Sequence, residues 1–161
     1  MKAIVVSDQA AGTAGMKLVE RPEPQAAINE VVVQIHASGF VGTELAWPST
    51  WTDRLDRDRT PSIPGHELAG VVTALGYGTT GLSVGQRVFG LTDWHRDGTL
   101  AEYVAVEARN LAPLPGDVDF TVGASLQSRA SPHGRDCSST AAFRQARACL
   151  RMAPLARSVR W

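Results

Sequence analysis

Residues 60–90 read TPSIPGHELAGVVTALGYGTTGLSVGQRVFG, and the fold follows from how this stretch is punctuated. Pro64 and Gly65 form a turn dipeptide, and Leu68 to Ala74 is an apolar run with β-branched residues. Gly76, Gly78, Gly81 and Gly85 then break the chain before Gln86 to Leu91 turns apolar again. The pattern is strand, tight loop, strand. No helical period follows the glycines, so they serve turns and do not form a phosphate-binding loop.

Toward the N-terminus, Lys2 to Val6 and Met16 to Glu20 are short strands across the small-residue turn Gln9 to Gly15, which predicts an opening hairpin. Pro22 and Pro24 interrupt the pattern. Glu30 to His36, EVVVQIH, resumes as a strand whose consecutive valines predict burial on both faces, and Gly39 ends it. Thr43 to Trp47 reads as a single helical turn with Thr43 as its N-cap. From Trp51 to Thr60 the charges Asp53, Arg54, Asp56, Arg57, Asp58 and Arg59 alternate in sign, the mark of a solvated surface loop.

On the other side, Gln86 to Leu91 and Thr99 to Val106 are strands with the turn signal Asp97-Gly98 between them, and Leu111 to Pro115 leaves the sheet. Asp119 stands where it would cap a helix bearing Phe120, Val122 and Leu126. Short strands at this spacing predict a mainly β fold with short helices, either a barrel or a sandwich.

A length of 161 residues accommodates one domain with a real core, and the 43% hydrophobic share fits a globular chain. No apolar run approaches the roughly 20 residues of a membrane span, and Met1 to Val6 lacks the flanks of a secretion signal. The expectation is a cytoplasmic protein with no membrane partner. The formal net charge of zero hides an asymmetry: from Gln127 to Trp161 seven arginines face one acid, Asp136, for a net +6, which leaves −6 on residues 1–126. Both cysteines, Cys137 and Cys149, lie in that tail, so residues 1–126 contain no thiol for a disulfide or a metal.

The order P-G-H-E-x-A-G-x-V, then a Gly-rich loop, then G-x-R-V, resembles the N-terminal catalytic domain of the medium-chain dehydrogenase/reductase family over roughly residues 1–126. The resemblance implies a GroES-like barrel for that stretch. It also implies an enzyme in which this domain is joined to a dinucleotide-binding domain of similar size, for which the chain leaves no room. In zinc-dependent relatives a Cys, the His of G-H-E and a later Cys hold the catalytic metal. Here Gly65-His66-Glu67 is kept, but Val41 stands at the first ligand's place and offers no lone pair. The region of the structural-zinc lobe reduces to Thr92 to Gly98. Zinc is therefore not expected, and the nearest branch is the zinc-free, quinone-oxidoreductase-like one.

After Leu126 serines, arginines and alanines alternate without a period of 3.6 or 2, and residues 127–161 are expected to be a disordered tail without a domain. Moving the reading frame by one base across Gln127 and Ser128 permits VSGLTAWQGLFEHGRLQAGQSVL, one free residue, then HGAAGAVGS. Met152 has a single codon, so Met152 followed by Ala153 forces a glycine in the shifted frame. The recovered G-A-A-G-A-V-G has the form by which a backbone approaches a pyrophosphate at a helix N-terminus. The tail reads as a frame-shifted remnant, one base having been lost near codon 127. A basic tail for nucleic acid is the competing reading, and the family-like string counts against it.

Without zinc, a hydride-transferring enzyme must polarise its substrate through hydrogen bonds. By the resemblance, Thr43 matches the Ser/Thr that relays a proton in alcohol-dehydrogenase relatives; its bland reading is the helix cap. His66 is a proton carrier or a histidine satisfied at the barrel rim. Glu44 and Glu67 are supporting acids near His66. Phe40, Trp47, Trp51 and Trp94 are the candidate aromatic wall for a flat substrate, with ordinary packing as the alternative.

The implied parent is an oxidoreductase that uses NADP or NAD to reduce a small-molecule carbonyl, quinone or enone. The chain holds the substrate-side half, so no cofactor binding and no turnover are expected of it alone. A non-catalytic GroES-like binding module and a fragment of a zinc-dependent alcohol dehydrogenase are the alternatives.

Overall fold

A computed structural model of the chain describes residues 1–126 and 159–160. The expectation of a disordered, frame-shifted tail falls almost wholly outside the described residues. Two antiparallel strands, β1 (Lys2–Val5) and β2 (Lys17–Glu20), form the expected opening hairpin, with Ala3 opposite Val19. A six-stranded sheet holds the rest: β3 (Glu30–Gly39), β4 (Glu67–Leu75), β5 (Arg87–Leu91), β6 (Tyr103–Glu107), β7 (Leu111–Pro113) and β8 (Val159–Arg160). Its order is β6-β3-β4-β5-β7, with β8 beside β3 at Ala37 and Ser38. Short helices complete it, α1 (Pro48–Trp51) and α2 (Phe120–Ala124), with 3-10 turns at Gly12–Gly15, Gly42–Ala46 and Ala108–Asn110. The fold is mainly β with short helices, as the sequence predicts.

The valine run explains why β3 is central. Glu30 to Val33 are all buried, because β4 lies along one edge and β6 along the other. Val31, Val33, Leu68, Val72 and Val88 sit together in one core at 1% exposure or less. Pairing of β3 with β4 slips at Val32/Val33 and at Ile35/Ala37, and each irregularity adds local bend and twist. Between the two slips Gly70 faces Ile35, and a Cβ there would lie 2.1 Å from the Gln34 carbonyl oxygen, so only glycine allows the strands to close.

Three expectations are corrected. Thr99 to Val106 is not one strand: β6 starts at Tyr103, and Ala101 forms only an isolated bridge to Ala3. Strands β5 and β6 are not neighbours, so residues 92–102 cross the end of the sheet and are not a hairpin turn. Leu111 to Pro115 does not leave the sheet directly, since β7 pairs with β5 through Val88 and Pro113. A three-residue strand ending in proline carries too little pattern to be read.

The expected helix after Asp119 is present as α2, and Asp119 accepts a hydrogen bond from the Thr121 N–H at 2.8 Å. Phe120 lies between the His36 ring, stacked at a centroid distance of 4.5 Å, and the Arg87 guanidinium, 4.4 Å from the ring centre. Arg87 also donates to the carbonyls of Gly116, at 2.6 Å, and Val118. Asp119 caps α2, and D119A is expected to lower stability by about 1 kcal/mol. Urea unfolding measures it, and a loss several times larger would show that Asp119 does more than cap.

Candidate active site

The site is built where β4 and β5 begin and end. His66 directly precedes β4 and Thr92 directly follows β5, and the ladder continues between them through the Thr92 N–H to the His66 carbonyl at 2.9 Å. This register places Thr92 Oγ1 3.2 Å from His66 Nδ1. Against the other ring nitrogen comes Glu44, from the 3-10 turn Gly42–Ala46.

That turn corrects the expected cap. Its N-cap is Val41, and Thr43 is an exposed residue inside the turn. Glu44, three residues after the cap, reaches back so that Oε1 accepts from the Val41 N–H at 3.0 Å, the carboxylate half of a capping box. Its second oxygen, Oε2, lies 3.8 Å from His66 Nε2. Both atoms are buried, and neither has a hydrogen-bond partner.

Burial decides the charge of this pair. Loss of water pushes the Glu44 carboxyl up to about 7; the Val41 N–H opposes the shift and the nearby Glu67 carboxylate adds to it. Burial likewise pushes His66 down to about 4, with the Arg59 cation adding to the shift and Asp93 opposing it. Two opposite charges at 3.8 Å would be an ion pair. Both shifts instead favour the uncharged pair, a protonated carboxyl beside a neutral imidazole.

Aromatic rings cover the imidazole. Trp94 lies 4.3 Å from it and Trp47 stacks on it at 6.1 Å, while the two indoles meet edge to face at 5.0 Å. Trp94 is 40% exposed. The structure thus brings together His66, Glu44, Trp47 and Trp94. It does not bring in Trp51, whose Nε1–H donates to the Leu45 carbonyl at 2.9 Å, or Phe40, which packs on the cluster of Ala3, Val5, Ile63, Leu100 and Ala101. The Glu67 carboxylate lies close against Gly39.

Some residues of the site were not singled out in the sequence. Thr92 is visible only through the β4–β5 register. Arg59 closes a loop that reads as solvated, yet its side chain is 12% exposed, with Nη1 on the Ser49 carbonyl at 2.6 Å and Nη2 3.5 Å from Asp97. Asp93 is tethered by Arg54 at 2.7 Å, which holds the loop that carries Trp94.

The donor set was tested for a metal. A catalytic zinc takes three protein ligands and an open position. Here His66 Nε2 and Glu44 Oε2 are two, Val41 is an exposed hydrocarbon, and among the described residues no group of three His, Cys, Asp or Glu side chains is placed to hold an ion. These residues do not fit a three-ligand zinc centre.

Comparison with known proteins places this geometry. Residues 27–116 match the alcohol dehydrogenase GroES-like domain. The chain belongs to that family, and it matches the N-terminal part of its medium-chain dehydrogenase/reductase relatives. It is 31% identical over 138 residues to an L-threonine 3-dehydrogenase of Ruegeria pomeroyi, covering 70% of this chain and 40% of that one. Among solved structures it resembles a quinone oxidoreductase from Pseudomonas syringae pv. Tomato DC3000, at 28% identity and a TM-score of 0.67 over 78% of this chain and 37% of that one. An alcohol dehydrogenase superfamily protein from Novosphingobium aromaticivorans gives 32% identity and a TM-score of 0.66 over 78% and 38%. The chain spans about 40% of the length of the curated relatives it matches. Among the described residues no helix is long and apolar enough to cross a membrane.

Proposed function

We propose that residues 1–126 are the substrate-side domain of a zinc-free NAD(P)H-dependent oxidoreductase that reduces a quinone, enone or carbonyl, and that residues 127–161 are a frame-shifted tail. The observation that carries the reading is the placement of Trp47 and Trp94 on the buried His66, an aromatic wall suited to a flat conjugated substrate. Valine at position 41 supports polarisation by hydrogen bonds instead of by a metal. His66 and Thr43 are the proposed proton-handling residues, Glu44 and Glu67 their supports, and Trp47 and Trp94 the substrate contacts. When bound, the nicotinamide supplies the hydride. Residues 1–126 hold the substrate side of that transfer.

The experiment is a paired titration. NADPH added to the chain is expected to leave its fluorescence unchanged, while a flat enone is expected to quench the tryptophans in a saturable way. Tight NADPH binding would refute the truncation, and an enone that leaves Trp47 and Trp94 unaffected would refute the substrate class.

A second reading, a fragment of a zinc-dependent alcohol dehydrogenase, is favoured by the likeness to L-threonine 3-dehydrogenases. It requires zinc to remain bound through dialysis, and elemental analysis is expected to find less than stoichiometric metal.

A further inference from the structure

The sheet ends on one side at β6, and the parity of the ladder fixes which backbone groups that edge leaves open. The Ala108 N–H donates to the Asn29 carbonyl at 3.0 Å, and the Ile35 N–H to the Glu102 carbonyl at 2.8 Å. With Val31 opposite Val106 and Val33 opposite Val104, these two bonds make the even-numbered residues the ones that bond to β3. Tyr103, Ala105 and Glu107 therefore turn their N–H and C=O groups outward. Among the described residues no group bonds to the backbone of Tyr103 or Ala105.

An open strand edge is a template for another strand, and folds commonly cover it. Here it is screened instead. Residues 21–25, RPEPQ, wall a cavity of about 510 Å³ together with Tyr103, Val104 and Ala105. Pro22 and Pro24 have no N–H to offer, so this segment does not complete the ladder itself. What remains is room for a few residues of extended chain, not for a folded domain. The walls are cationic, with Arg21, Arg59 and Arg96 set against two acids, Glu23 and Asp97. Arg59 is matched by Asp97 at 3.5 Å and Arg96 by the buried Glu30. Arg21 meets the Pro61 carbonyl at 2.5 Å and, among the described residues, no carboxylate. Residues 1–126 carry a net −6, so three arginines around one cavity run against the charge of the rest.

We propose that the β6 edge docks an extended acidic peptide segment of another protein, which adds a strand beside Tyr103 and Ala105 and sets its carboxylates among Arg21, Arg59 and Arg96. Each outward residue exchanges a pair of backbone hydrogen bonds with the incoming strand, and these supply the affinity. Side chains two apart on that strand fall on one face, so acids at alternate positions reach the same cavity. Charge selects this occupant over the chain's own residues 127–161, which carry a net +6. A second copy would have to bring a whole domain past residues 21–25.

The test adds a capped five-residue peptide, threonine-glutamate-valine-glutamate-threonine, to the nitrogen-labelled full chain. The amide protons of Tyr103 and Ala105 are expected to move downfield, with binding at least about tenfold tighter than that of the peptide with lysine for glutamate. R21E is expected to reverse that preference. A105P takes away one outward N–H at an edge position where proline is tolerated, and is expected to weaken the acidic peptide about tenfold. Should A105P fail to fold, the acidic peptide N-methylated at every residue decides on the unaltered chain: undiminished binding overturns the docked strand. Equal affinity for the two charged peptides overturns it as well, as does binding that leaves the Tyr103 and Ala105 amides unmoved. Succinate that moves the same amides with equal affinity assigns the cavity to a small anion. Shifts of those amides with chain concentration alone assign the edge to a second copy; either result overturns the proposal.

Discussion

Restoring one base near codon 127 is expected to tighten NADPH binding by at least about three decades from a millimolar or weaker starting point, a gain of about 4 kcal/mol or more. The expectation rests on what the shifted frame says. Its string ends in G-A-A-G-A-V-G, in which the absence of side chains lets backbone N–H groups close on a pyrophosphate and the following helix adds its positive end. One glycine of that string is forced by the single codon of Met152 followed by Ala153. Fluorescence enhancement of NADPH on titration is the measurement, made on the repaired and unrepaired chains side by side. A repaired protein that folds and still ignores NADPH would refute the frameshift reading. So would a gene whose downstream bases hold no open frame.

The second large effect concerns pH. In the native chain Glu44 holds its proton up to about 7, against an ordinary value of 4.5, and His66 stays neutral down to about 4, against 6.5. Between pH 4.5 and 6.5 the unfolded chain carries an ionised Glu44 and a protonated His66, and the native chain the reverse. Each state binds one proton on the pair, so the pair adds no slope to stability. E44Q removes that cancellation. His66 then titrates alone with a depressed native value, the unfolded state binds more protons between about 4 and 6.5, and stability rises with pH through that window by about 3 kcal/mol. At pH 8 E44Q is expected to exceed the unaltered protein by a similar amount, because it buries no ionised carboxylate. Urea denaturation of both proteins at pH 4, 5.5 and 8 decides it. A difference between the two that stays constant with pH would show that burial does not perturb the pair.

The parts of the fold that were legible in the sequence are those with long, unambiguous patterns. The valines of EVVVQIH announced a strand buried on both faces, and Val31 to Val33 are buried at the centre of the sheet with a neighbour along each edge, while Gln34 and His36 are exposed. Asp119 announced α2 because a cap has a local chemistry that needs no tertiary help. The misread parts depend on partners distant in sequence. Leu111–Pro113 is a strand only because β5 lies beside it, and Thr99 to Glu102 fails to be one because it meets the first hairpin at a single bridge. At the site, His66 and its supporting acid Glu44 were named from the sequence, while Thr92 was not. Thr92 reaches Nδ1 through strand register, and Glu44 reaches Nε2 from a turn whose cap is a valine. The spacing of Glu44 three residues after Val41 was the available signal. Arg59 was hidden in a run of alternating charge that is otherwise solvated, and its contacts with Ser49, Trp94 and Asp97 distinguish it.

The stack of His36, Phe120 and Arg87 also sets how the domain bears load. Arg87 belongs to β5, an interior strand, and it grips the carbonyls of Gly116 and Val118 as well as the Phe120 ring. Tension applied to the chain beyond α2 is therefore delivered past the short edge strand β7 into the middle of the sheet. There it meets a strand paired along both edges. A pull on α2 is thus shared with an interior strand of the sheet.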